Sequence, residues 1–253
     1  LSLNIKSLLE APIIELDTID STNNYAMRLI DADMAQIGLT IVANTQTAGK
    51  GQRGNIWQDD GSDCILMSII SQPRANLMQQ FAFNAGITNA IASVIEEIDE
   101  RLAVHIKWPN DIIINDKKSA GILIENMIRG HEWLHAIIGI GVNLNNYIDS
   151  KKLPFATSLK MELGRDLNKS EILSGLRERI LAASAEEMVV NKNIEAYNNY
   201  LFGKDKWQEF SHGNEHWEAQ IIGVNMDGTL KVRLENGVVE NYVHGSVQWV
   251  WKA

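Results

Sequence analysis

The sequence predicts an α+β fold, with a mixed body carrying a small β-barrel-like cap. Three observations predict it. Up to about residue 200, short β-branched runs are interleaved with longer runs of helical period. From residue 217 the style changes to short strands alone, at 217–224, 229–234, 238–243 and 247–251. Met226-Asp227-Gly228 and Glu235-Asn236-Gly237 stand between them as hairpin signals. A chain of 253 residues that is 45% hydrophobic and 22% charged has material for a core without covalent staples. The change of style falls near 202–210, which divides the chain into a body of 1–203 and a cap of 204–253.

Residues 12–20 alternate loosely and read as a strand. Residues 21–34 read as a helix capped by Ser21 or Asp20, with Tyr25, Leu29, Ile30 and Met34 on one face. A β-branched strand at 39–45 leads into a glycine-rich stretch, 47–54. The short apolar run 64–71 reads as a buried strand. Leu77, Phe81, Ile87, Ile91, Val94, Ile95 and Ile98 then recur at helical spacing. Short strands are expected at 103–107, 112–114, 120–128 and 133–140, with Asn115-Asp116-Lys117 as a tight turn. Residues 171–190 and 194–201 read as helices.

Composition excludes several classes. The single cysteine, Cys64, forms no internal disulfide and no Cys-rich zinc site, which fits a reducing compartment. Residues 1–9 lack the pattern of a signal peptide, and no apolar run approaches the ~18 residues of a membrane span. The expected location is cytoplasmic. A net charge of −9 argues against broad electrostatic binding to nucleic acid.

Two motifs match well-known patterns without their context. Gly49-Lys50-Gly51-Gln52-Arg53-Gly54 fits GxGxxG after a strand. The polar residues that follow, with Gly61, open no apolar-faced helix, and no acid lies about twenty positions on. A Walker loop fails too, because Asn44 replaces its first glycine and Gly51 its Ser or Thr. The loop still offers backbone N–H groups beside Lys50 and Arg53, which suits an anion cradle as well as a solvated turn. His131-Glu132-Trp133-Leu134-His135 fits HExxH, but Gly130 and Gly139 bracket a strand. Two histidines four residues apart on a strand lie ~13 Å apart, too far for one zinc. His212 and His216 read as surface residues.

Lys107-Trp108-Pro109-Asn110-Asp111 carries more. Pro109 ends the ladder and fixes a turn. Lys118 follows Asp111 by seven residues across the expected hairpin, so the two can meet. An acid with one or two lysines beside an apolar wall can handle a carboxylate and a phosphate, or it can be a surface salt bridge. Gly139-Ile140-Gly141-Val142-Asn143 closes a strand with glycines that suit close packing against a ligand, or a bulge.

In this order the segments resemble the biotin protein ligases. Asp20-Ser21-Thr22-Asn23 looks like the family's STN motif, and Gln46 with residues 49–57 like its glycine-rich loop. Lys107 to Asp111, Lys118 and Ala120-Gly121-Ile122-Leu123-Ile124-Glu125 match its KWPND…KxAGILxE block. Residues 139–143 and Ala156-Thr157-Ser158-Leu159 match two later elements.

The resemblance implies a class II aminoacyl-tRNA-synthetase-like catalytic domain, a mixed sheet flanked by helices, followed by an SH3-like domain. It implies ATP-dependent activation of biotin to biotinyl-AMP and transfer to a lysine of a biotin carboxyl carrier protein. Lys118, Asp111 and Lys107 are the implied catalytic residues. Ser21, Thr22, Asn23, Gln46, Lys50, Gly51, Gln52, Lys118 and Gly121 are implied to hold biotin. Gly49, Lys50, Gln52, Arg53, Trp57, Asn110, Lys118 and Asn143 are implied to hold ATP or the adenylate, with Mg²⁺ on ligands not assigned.

One departure has a consequence. Lys50, Gln52 and Asn55 stand where the family often has arginine, so the adenylate is expected to be held less tightly. An adenylate off-rate as slow as that of arginine-rich relatives would contradict this. The chain starts close to the first strand, so no repressor domain and no specific DNA binding are expected. No membrane partner is expected, and homodimer formation is possible on family grounds. The alternative on the same fold is a lipoate ligase or octanoyltransferase.

Overall fold

A computed structural model of the chain describes residues 5–58 and 63–251. Gly61, after the glycine-rich stretch, and residues 1–4 of the N-terminal segment lie outside the described residues. The order of elements is α1 Ile5–Leu9, β1 Ile13–Ile19, α2 Thr22–Asp31, β2 Thr40–Gln46 and β3 Ile65–Ser71. It continues with α3 Gln80–Glu96, β4 Val104–Lys107, β5 Asp111–Ile114, β6 Lys117–Arg129 and β7 Glu132–Val142. Next are α4 Leu159–Leu163, α5 Lys169–Ala185 and α6 Val190–Tyr200. The last five are β8 Trp207–His212, β9 Glu215–Val224, β10 Leu230–Leu234, β11 Val239–Tyr242 and β12 Gln248–Val250.

Among the described residues β1 to β7 form a seven-stranded sheet in the order β1-β2-β3-β7-β6-β5-β4. Only β1 and β2 pair in parallel; every other neighbouring pair is antiparallel. β8 to β12 form an antiparallel five-stranded sheet in the order β11-β10-β9-β8-β12.

The strand period of two sorts the large sheet into two faces. On β3 and β7, Ile65, Met67, Ile69, Ala136, Ile138, Ile140 and Val142 join the main core with residues of α3, α5 and α6. α3 is apolar nearly all round because it lies between the sheet and the neighbouring helices. On the opposite face, Ile70 and Ile137 pack beneath Ala26 of α2. Farther along that face Gly121, Gly139, Gly141 and Ser68, with Leu66 and Leu123 beside them, floor the cleft described below.

Helices and hairpins follow local chemistry. Asn115 and Asp116 both have positive φ, at 48° and 65°, so β5 and β6 meet through a two-residue turn of the hairpin-favouring hand. Gly228 and Gly237 also take positive φ in the later turns. Two expected helices end early and two elements were not anticipated; the helix expected over 171–190 stops at Ala185, where Glu186 turns extended at ψ 150°. The helix expected over 21–34 stops at Asp31, because Asp33 turns left-handed at φ 56° and Met34 is 68% exposed. The strand β8 was not anticipated, since its polar sequence WQEFSH hides an apolar anchor, Phe210. The short helix α4, capped by Ser158, was not anticipated either. Among the described residues no helix is long and apolar enough to cross a membrane.

Candidate active site

The cleft sits on the free face of the large sheet, between the loop after β2, the β4–β5 turn and the end of the small sheet. Its cavity is about 240 Å³. The floor is a grid fixed by strand register. Gly121 of β6 stands opposite Gly141 of β7, and Leu66 of β3 stands on the other side of Gly141. One step along, Leu123, Gly139 and Ser68 form the next row.

The glycines on β7 are there for close approach. No register shift occurs at either, so the bulge reading falls away. A Cβ on Gly139 would run into the Asn23 amide, and one on Gly141 would lie 2.5 Å from the Trp57 ring. The Trp57 indole therefore rests directly on the Gly121–Gly141 floor. Its N–H is buried with no hydrogen-bond partner among the described residues.

One end of the cleft is a hydrogen-bond network. Gln46 Oε1 accepts from the Thr22 amide at 2.8 Å and from its hydroxyl at 3.1 Å. The buried Ser68 hydroxyl lies 2.7 Å from Thr22 Oγ1 and 2.6 Å from Asn23 Oδ1, and its single proton serves one of them at a time. Asn23 donates to Glu125 at 2.8 Å, and Lys50 pairs with the other oxygen of that carboxylate at 2.7 Å. Ser21 is the N-cap of α2 by position, but its side chain makes no capping bond, and it lines the cleft instead.

The other end is charged. β4 and β5 pair Lys107 with Asp111 across the Trp108-Pro109-Asn110 turn. The Lys118 ammonium lies 2.7 Å from Asp111 Oδ1, although Asp111 pairs with Gly121 in the register, and 5.7 Å from the Trp57 ring centroid. The Lys118 backbone is clasped by the later segment, donating to the Phe155 carbonyl at 2.7 Å and accepting from Thr157 at 2.9 Å. Burial holds Lys107 below the ordinary lysine value; the Asp111 charge opposes this and the Lys118 charge adds to it. Asn110 is tied to Ile122 through both its side chain and its carbonyl. From below, the fully buried Tyr197 hydroxyl donates to the Pro109 carbonyl at 3.0 Å.

Most of the residues expected at the site line this one cleft: Ser21, Thr22, Asn23 and Gln46 at one end, Lys50, Gly51, Gln52 and Trp57 from the loop, and Lys107, Asn110, Asp111, Lys118 and Gly121 at the other end. Gly49, Arg53 and Asn143 do not line it. Gly49 backs onto Trp57. Arg53, in a left-handed conformation, donates to the His244 carbonyl at 2.8 Å and lies against Gly245. Asn143 is buried behind the sheet end, where its carbonyl accepts from Leu159 and its side chain from Asn146.

Sequence reasoning missed two contributions. Ser68 was readable as a polar residue inside a run expected to be wholly buried, which obliges it to have partners. His244, Gly245, Val247 and Trp249 supply a wall from the small sheet, and no local pattern announces them. The HExxH segment lies on the β6–β7 hairpin with Glu132 starting the strand, so its two histidines are spread along extended chain. Among the described residues no group of three His, Cys, Asp or Glu is placed to hold a metal ion.

Comparison with known proteins agrees with this geometry. The model of the biotin/lipoate A/B protein ligase family matches residues 15–143. The bifunctional ligase/repressor BirA of Escherichia coli (strain K12) is 32% identical over 246 residues, covering 92% of this chain and 72% of that protein. Its counterpart from Bacillus spizizenii is 28% identical over 249 residues, covering 91% and 72%. The solved structure of a biotin protein ligase from Aquifex aeolicus in complex with biotin and ATP shares the fold. Its TM-score is 0.74 at 23% identity, over 93% of this chain and 97% of that one. The chain belongs to the biotin/lipoate A/B protein ligase family, on the side of the biotin protein ligases.

Proposed function

We propose that this cleft activates biotin with ATP and passes it to a lysine of a biotin carboxyl carrier protein. The observation that carries the reading is the pairing of its two ends. A network of amides and hydroxyls around Thr22, Asn23 and Gln46 suits the ureido ring of biotin, and the group Lys107, Asp111 and Lys118 suits two anions that must meet. Between them the Gly121–Gly141 floor bears no side chain and meets the Trp57 ring, an apolar surface that suits the aliphatic tail.

In the first step a biotin carboxylate oxygen attacks the α-phosphorus of ATP, a new P–O bond forms, and pyrophosphate leaves. Two anions approach, so cations are needed; at ~4 Å and an effective dielectric of ~20 each attraction is worth about 4 kcal/mol. Lys118 is the main electrostatic contributor and Lys107 assists. In the second step the acceptor amine attacks the biotinyl carbonyl and AMP leaves with the bonding pair. An acceptor lysine with a pKa of about 10.4 arrives mostly protonated. Asp111, whose partner Lys118 is then engaged with the adenylate, holds that ammonium and takes its proton. The Trp57 indole would cover the adenylate, and its N–H, unpartnered among the described residues, would donate to it. ATP enters as its magnesium complex. The ion takes oxygen ligands and would neutralise phosphate charge as pyrophosphate leaves.

The test is exchange of labelled pyrophosphate into ATP with biotin, lipoate or octanoate supplied in turn. Biotin alone should support exchange, and Lys118→Ala should lower its rate by roughly 10²–10³-fold, the scale for losing one preorganised stabilising donor. Exchange driven equally by lipoate, or surviving intact in Lys118→Ala, would overturn the reading.

A further inference from the structure

Lys107 is the cation whose surroundings need explaining. The Asp111 carboxylate is already taken by Lys118 at 2.7 Å, and among the described residues Lys107 has no ion-pair partner of its own. Instead its ammonium lies 4.8 Å from the ring centroid of Trp249 and 5.3 Å from that of Trp251. Both tryptophans come from the end of the small sheet, far from Lys107 in sequence.

The rings are themselves held. Trp251 stacks on Phe155, with centroids 5.3 Å apart and planes 15° from parallel. Phe202, from the chain between the two sheets, packs against both tryptophans at 6.1 Å and 5.9 Å. Trp249 also meets Phe210 at 5.8 Å, and its indole N–H donates to Gln208 at 3.2 Å. Rings fixed in this way keep their faces toward one point.

The chemistry of that arrangement differs from an ion pair. A carboxylate partner would tie up the ammonium protons and would have to be displaced before the lysine could serve a phosphate. An aromatic face attracts the charge through its quadrupole and leaves the N–H donors free for a ligand. Trp249 also lines the cleft, so the cation is presented to the reacting centre and not hidden from it.

We infer that Trp249 and Trp251 are positioning residues that act through Lys107, holding its ammonium charged and free of carboxylate so that the small sheet completes the adenylation site. This rests on the reading of Lys107 as a cation beside the reacting phosphate.

The experiment uses the full chain and biotin-dependent pyrophosphate exchange, with Trp249 and Trp251 changed singly to Leu and to Phe, each in the parent and in a Lys107→Met background. Leucine keeps apolar volume without a π face; phenylalanine keeps a face. Each leucine variant should lower kcat by roughly three- to thirty-fold, with phenylalanine recovering most of it. The KM for biotin should stay within about twofold, since the biotin network lies at the other end of the cleft. In the Lys107→Met background the leucine changes should add less than about twofold, because their route of action is gone. Equal losses in both backgrounds, or phenylalanine no better than leucine, would overturn the inference. Lys107→Met as active as the parent would instead overturn the underlying reading of Lys107. That outcome is told apart because it needs no tryptophan variant.

Discussion

Two lysines flank Asp111, and the protein holds them by different means. Lys118 is paired with the carboxylate, while Lys107 is half-buried and faces aromatic rings. Burial lowers the Lys107 value below 10.5, so its charge is lost at a lower pH than an ordinary lysine would lose it. The sign for stability follows. The cost of burying the charge is fully present below the folded-state value, and it is relieved as pH rises from there toward 10.5. For activity the sign is opposite, because the charged form is the useful one. Adenylation should therefore decline on the alkaline side before an ordinary lysine titrates. Lys107→Arg, which stays charged, should move that decline upward in a pH profile of pyrophosphate exchange. An alkaline limb that Lys107→Arg leaves in place would assign it to another group.

Strand alternation sets the site at the next scale. Gly139 and Gly141 point to the same face as Ile137, and each gives up its side chain to a neighbour that lies across it. Gly139→Ala places a methyl group on the Asn23 amide, which also serves Ser68 and Glu125. Overpacking of this kind costs about 1–3 kcal/mol. The variant should melt lower and show a raised KM for biotin, with a smaller change in kcat; an unchanged KM would separate Asn23 from biotin binding. Much at this scale was legible in the sequence. The Lys107–Asp111 turn, the Asn115-Asp116 reversal and the return of Lys118 are short-range, and each is dictated by residues a few positions apart. What escaped was decided by tertiary contact. β8 reads as polar because only Phe210 and Ser211 are buried on it, and Met34 reads as an apolar helical position although the chain has already turned away.

At the scale of the molecule the cleft depends on how the two sheets meet. α6 is the strut between them. Tyr197 reaches up to the Pro109 carbonyl beneath the charged turn. Its neighbour Asn198 accepts from the Val224 amide at 2.7 Å and donates to the Val224 carbonyl at 3.1 Å. Trp108 closes the same joint with a bond to the Gly228 carbonyl at 2.9 Å. Asn198→Ala strands a backbone pair that it now satisfies, at a cost of about 1–3 kcal/mol. The expected outcome is faster proteolysis between the sheets and a fall in kcat for adenylation. Intact resistance with normal rates would show that the joint holds without it. This part of the site was invisible to sequence reading, because residues near 107 and near 249 are brought together only by packing. Transfer of labelled biotin to a biotin carboxyl carrier fragment shows whether the cleft performs both halves of a ligation. Label should reach the carrier only when ATP is present, and roughly 10²–10³-fold more slowly in Lys118→Ala; label without ATP, or no label with it, would sink the reading.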